Sequence, residues 1–131
     1  DIRHHSQYGE EWYLRQLKGH KILILGNHDV PILSNPKALH YLEGVERMMH
    51  VQDGDKQISL CHFPIAEWNG YFRGTWHIYG HIHNRKNETY EFMKNKEHAL
   101  NAGCMINNYA PASFNELVRN NAIFKAKDGE V

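Results

Sequence analysis

The chain has 131 residues, 41% apolar and 23% charged, with 15 basic and 15 acidic side chains and so no net charge. That composition fits a folded globular chain, excludes a disordered one, and argues against a surface built mainly to hold a nucleic acid backbone. No apolar run approaches the ~20 residues of a membrane span, and two cysteines, Cys61 and Cys104, do not make a disulfide framework.

In chain order, Glu10 to Lys18 reads as a helix with Trp12 or Tyr13, Leu14 and Leu17 on its apolar face and Gly19 as its stop. Lys21 to Leu25 is a short apolar run closed by Gly26, which predicts a buried strand. Asn35-Pro36 opens a second helix, with Asn35 as cap, Pro36 at the first helical position and Gly44 at its end. Val45 to Gln52 and Lys56 to Cys61 are extended and joined by Asp53-Gly54, a hairpin signal. Further strands are expected at Thr75 to Tyr79, Thr89 to Met93 and Ala99 to Ile106. Ser113-x-x-Glu116 is a capping box opening a helix through about Arg119, and Lys125 to Val131 carry no pattern and are expected to fray. Both cysteines fall in strand-like stretches, so buried, reduced thiols and a cytoplasmic setting are expected. The layout is mixed α/β, without internal repeats or linkers.

Histidine is the unusual residue, with 11 copies. Three polar clusters follow apolar strand candidates: Gly26-Asn27-His28-Asp29, His62, and Gly80-His81-Ile82-His83. Ligands of α/β sheets gather beyond the carboxyl ends of strands, so neighbouring strands would bring these side chains to one place. Imidazole suits zinc-, manganese-, iron- and nickel-class ions, and amide or carboxylate oxygens complete harder sites. The glycines at 26 and 80 are expected to let the backbone turn sharply. Taken singly, Asn-His-Asp is a common turn, His62 a strand terminus, and His-x-His a chance pair; it is their joint occurrence in order that carries weight.

Those residues resemble the calcineurin-like metallophosphoesterase superfamily. Its pattern runs Asp-x-His, Gly-Asp, Gly-Asn-His-Asp/Glu, His, then Gly-His-x-His, and the last three blocks are matched by Gly26–Asp29, His62 and Gly80–His83. Asn101-Ala-Gly103, with Asn107, Tyr109, Pro111 and Ser113, is similar to the C-terminal region of small bacterial and phage-type members. Asp-x-His is missing, and Asp1 stands where the aspartate of Gly-Asp would be. The resemblance thus implies one metallophosphoesterase domain over residues 1–131, a β-sandwich flanked by helices, lacking its N-terminal part with the first strands.

The resemblance implies two divalent ions, manganese first and iron, zinc, nickel or magnesium as alternatives. Asp1 would bridge them, Asn27, His62 and His81 would hold one, and His83 the other. His28 would act on the phosphoryl oxygens or leaving group, and Asp29 would orient His28 or its loop. The implied activity is hydrolysis of phosphomonoesters or phosphodiesters by a metal-bridging hydroxide. The substrate would be a small molecule, a nucleotide or a nucleic acid end, with no membrane partner.

Two other readings belong to different classes: a non-catalytic protein-binding scaffold on the same fold, and a structural zinc site from His62, His81 and His83. His4 and His5 follow Asp1 closely enough to approach the site, whereas His20, His40, His50, His77 and His98 need no function. Arg85 and Lys86 would either touch phosphate at a rim or solvate a loop. Trp68, Tyr71, Phe72 and Trp76 divide between pocket wall and core.

Overall fold

The computed structural model describes residues 1–128 and is mixed α/β. It divides into two compact units, Asp1–Met49 and His50–Val131.

In the first unit, helix α1 (Glu10–Leu14) buries Glu10 and Leu14. It is shorter than expected, and Leu17, beyond its end, is about half exposed. Strand β1 (Ile22–Ile24) pairs in parallel with β2 (Gly44–Glu46), register Ile22 to Gly44. Strand β1 is not the buried strand the apolar run implies: Ile22 is exposed. A 3-10 helix at Val30–Ser34, which the sequence reading missed, precedes α2 (Pro36–Leu39). Asn35 caps α2 as expected, its side-chain oxygen accepting from the Ala38 N–H, but the helix stops well before Gly44. Leu14, Leu25, Ile32 and Ala38 form the core, with Ile2, Leu23, Leu42 and Val45 packed against them.

The four-stranded sheet runs β3 (Met48–Asp53), β4 (Lys56–Cys61), β5 (Trp76–Tyr79), β6 (Ala99–Asn101). Strands β3 and β4 are linked through Gly54, whose φ of 61° is the left-handed value this turn needs. Strands β4, β5 and β6 are mutually parallel, with Leu60 beside Ile78 and Tyr79 beside Asn101. The expected strand at Thr89–Met93 is instead helix α3 (Glu88–Met93). The Asn87 side chain caps it by accepting from the Tyr90 N–H, and Tyr90 and Met93, three apart, share its buried face. The predicted strand through Ile106 ends at Asn101 and gives way to a 3-10 helix at Cys104–Ile106, where Cys104 is exposed rather than buried.

Helix α4 (Phe114–Ala126) starts with both halves of the Ser113–Glu116 capping box and runs about two turns past its expected end. The helix continues through Ala126 into the stretch expected to fray. Asp128 pairs with Lys86 at 2.6 Å and accepts from the Tyr90 hydroxyl at 2.6 Å. Its hydrogen bonds to Lys86 and then to Tyr90 hold its carboxyl down at about 2. The remainder of the patternless tail, residues 129–131, lies outside the described residues. Trp68, Tyr79, Ile82, Tyr90, Met93 and Ala99 form this unit's core. Of the four aromatics weighed from sequence, Trp68 is core, its indole N–H donating to the Thr75 carbonyl at 2.7 Å, while Phe72 is 83% exposed. Among the described residues no helix is long and apolar enough to cross a membrane.

Candidate functional site

Of the three strands expected to be neighbours, two are. Strands β4 and β5 are adjacent, so His62 and His81 follow neighbouring parallel strand ends, whereas β1, which leads into Gly26, pairs with β2. The candidate residues therefore form two groups, one in each unit.

In the first group Asp29 is the anchor. It is 1% exposed, and its carboxylate accepts the Gly26 N–H at 2.8 Å and the Ile2 N–H at 2.7 Å. Two backbone donors are satisfied by one buried side chain, which closes the loop and ties it to the segment beginning at Asp1. Asp29 thus holds the loop, the second of the two roles considered for it. Asp1 Oδ1 accepts the His28 N–H at 2.8 Å. The sharp turn expected of Gly26 is not the reason for that glycine, since its φ is not left-handed. A Cβ there would instead fall on the Asp1 carboxylate and lie 2.9 Å from the Asp1 nitrogen. Asn27 is exposed, and its Nδ2 donates to His28 Nε2 at 3.2 Å, which puts the neutral ring's proton on Nδ1.

His4 and His5 do join this group. The His4 ring stacks on His28 with centroids 3.6 Å apart, and His5 tilts against His4 at 3.9 Å. Desolvation first, then the neighbouring His28 and His5, lower the His4 pKa from its ordinary value. Arg3, His4, His5, Glu10, His28 and Pro31 line an open hollow of about 160 Å³.

In the second group His81 Nδ1 and His62 Nε2 lie 3.3 Å apart, one ring donating to the other. Two imidazole nitrogens bound at about 2.0–2.1 Å to one tetrahedral ion stand about 3.3–3.4 Å apart. The pair therefore has the spacing of two ligands of one ion. Among the described residues, no group of three or more His, Cys, Asp or Glu side chains gathers into a metal set. The Gly80 N–H donates to the His62 carbonyl at 2.9 Å, linking the two strand ends. Gly80 is not left-handed either; the left-handed residues are the histidines themselves, His81 at φ 69° and His83 at φ 55°. For a residue with a side chain that conformation costs about 1–2 kcal/mol and persists only where surrounding bonds enforce it. His83 is exposed, and its carbonyl accepts from Asn101 Nδ2 at 3.0 Å.

Two neighbours, Phe63 and Arg85, complete the second group. Phe63, which sequence reading passed over, lies against both rings, 5.1 Å from His62 and 4.7 Å from His81. Arg85 donates to the His81 carbonyl at 3.3 Å. Lys86 is tied to Asp128 and to the Phe124 carbonyl. His77, set aside from sequence, is fully buried between β4 and the stretch after His62: it donates from Nδ1 to the Ser59 carbonyl at 3.0 Å and accepts the Ile65 N–H on Nε2 at 3.1 Å. Burial lowers its pKa, so it is neutral there.

No protein-family profile matches the chain, and no curated protein matches it. Among solved structures it is similar to a protein of unknown function, AQ665 from Aquifex aeolicus. The identity is 22%, with a TM-score of 0.63, over 90% of this chain and 70% of that one. The likeness is one of fold.

Proposed function

We propose that this chain is a metal-dependent phosphoesterase with a metallophosphoesterase-like fold that hydrolyses phosphomonoesters or phosphodiesters. The observation carrying this reading is the His62–His81 pair, two nitrogens 3.3 Å apart after adjacent parallel strands. That is a ligand spacing, and Asp1 and Asn27, which the resemblance names as further ligands, would supply the oxygen donors that manganese-class ions favour. Asp1, Asn27, His62, His81 and His83 are the residues that would hold two divalent ions. Such ions, when bound, neutralise phosphate oxygens and lower the pKa of water.

The chain's own residues do the rest. Asp29 fixes the loop that carries Asn27 and His28. His28, lodged between the Asn27 amide and the His4 ring, is the group that would move a proton to the departing oxygen. A positioned general acid is worth roughly 100- to 10,000-fold. With manganese, the protein carrying the Asp-x-His block that the resemblance implies upstream of Asp1 is expected to hydrolyse bis(p-nitrophenyl) phosphate or p-nitrophenyl phosphate. His28→Ala should cost a factor in that range while leaving bound metal unchanged, and His62→Ala and His81→Ala should both lose metal. Absence of metal-stimulated turnover across manganese, nickel, zinc, iron and magnesium refutes the reading.

A further inference from the structure

The second group contains an arrangement that its histidines do not explain. Asn101 ends β6, is 3% exposed, and belongs to a network with three other asparagines, of which Asn107 and Asn121 bond to it directly. Its main-chain N–H donates to Asn121 Oδ1 at 2.9 Å, and its carbonyl accepts from Asn121 Nδ2 at 3.0 Å and Asn107 Nδ2 at 3.1 Å. Asn121 also donates to the Leu117 carbonyl at 2.8 Å, and Asn107 accepts from Asn120 at 3.0 Å. Helix α4 thereby grips both main-chain groups of Asn101.

The Asn101 side chain is left to face the loop. Its Nδ2 donates to the carbonyl of left-handed His83, and its Oδ1 accepts the Gly103 N–H at 2.7 Å. Those two partners fix the amide orientation, because a carbonyl cannot donate and an N–H cannot accept. A Cβ on Gly103 would meet Asn101 Oδ1 at 3.0 Å and His83 Cα at 3.8 Å, so this glycine lets the three segments close on one another.

We propose that Asn101 is a positioning residue for the Gly80–His83 loop. Its amide holds the His83 carbonyl, fixes the left-handed backbone there, and so sets the direction in which the imidazole is offered, with Asn121 on α4 setting the orientation of Asn101. This rests on the reading of His83 as a metal ligand. A satisfied core asparagine with no such role would bond to whatever carbonyl packing left beside it. Here the side-chain donor goes to the strained residue of the His-x-His pair, and the acceptor goes to the glycine packed against that residue.

Asn101→Asp keeps the shape and the acceptor facing Gly103 but puts an acceptor against the His83 carbonyl. We expect it to fold, to weaken cobalt(II) binding at least tenfold with a changed visible spectrum, and to move the His83 Cα and Cβ chemical shifts away from left-handed values. Asn107→Ala removes a brace of the same network without touching the His83 bond. It should lose comparable stability while keeping the wild-type cobalt spectrum. In the wild type the Asn101 side-chain amide protons should exchange slowly, a reading that needs no variant to fold. Solvent-rate exchange overturns the proposal, as does an Asn101→Asp protein matching the wild type in both cobalt binding and His83 shifts. If His83→Ala binds cobalt as the wild type does, the ligand reading fails and takes this inference with it.

Discussion

The loop at Gly26–Asp29 and the loop at Gly80–His83 both follow a strand, both open with glycine and both carry candidate ligands, yet they are held in opposite ways. The first is closed from within. Asp29 returns its carboxylate to Gly26 three residues back, the glycine is there to admit Asp1, and no residue from Gly26 to Asp29 is left-handed. The second is closed from outside. Two of its histidines are left-handed, and the bond that holds the last of them comes from Asn101, itself gripped from α4. The first loop depends chiefly on Asp29, with Asp1 adding one bond to the His28 N–H, whereas the second depends on a network that a single loss strains without dissolving.

The largest effect that separates the two is therefore expected at Asp29. Asp29→Ala leaves the buried Gly26 N–H and the part-buried Ile2 N–H without their acceptor, at about 1–3 kcal/mol for a fully buried group and less for the other. A loss of roughly 3 kcal/mol by urea unfolding is expected. A loss below about 1 kcal/mol would mean the first loop is braced from elsewhere too, and the contrast would disappear.

The second region has a pH signature. His77 stands fully buried and neutral between β4 and the Ile65 N–H, its pKa lowered by burial below the ordinary 6.5. A histidine depressed in the folded state binds more protons unfolded, so stability is full above about 6.5 and falls as the pH drops toward the folded value. The slope cannot exceed about 1.4 kcal/mol per pH unit for this one proton. His77→Gln, which still accepts and donates but does not titrate in this range, should flatten that slope between pH 6.5 and 5. An unchanged slope would remove His77 as its source.

How much of this was legible in the sequence follows the same contrast. Signals that close locally are legible: Asn35-Pro36 as a helix start, the Gly54 turn and the Ser113–Glu116 box. Ser113 and Glu116 find each other three residues apart, and no tertiary context is needed. Thr89–Met93 was misread because its threonine and aromatics favour extended backbone, while Asn87 before it and the Tyr90–Met93 spacing favour helix, and burial of that pair decided the matter. Lys21–Leu25 was read as buried because apolar continuity says nothing about how many strands will flank it. Asn101 carried only the family likeness, and Asn121, twenty residues further on, carried no signal at all. Left-handed backbone at histidine is equally silent, since glycine is the residue that advertises it.

The smallest expected effect tests whether the outside brace is carried by α4 as a whole or by Asn121 at one point. Ser113→Ala removes the cap at the start of α4, where the Ser113 hydroxyl accepts the Glu116 N–H and Glu116 accepts the Ser113 N–H. Loss of such a cap costs about 1 kcal/mol. Asn121 lies two turns into the helix and bonds to Leu117 as well as to Asn101, so fraying of the first turn should stop before reaching it. Ser113→Ala is therefore expected to lower stability by about 1 kcal/mol while the His83 backbone shifts stay at wild-type values. If those shifts move with it, the brace is the whole helix, and the grip on the second loop is as diffuse as that on the first is local.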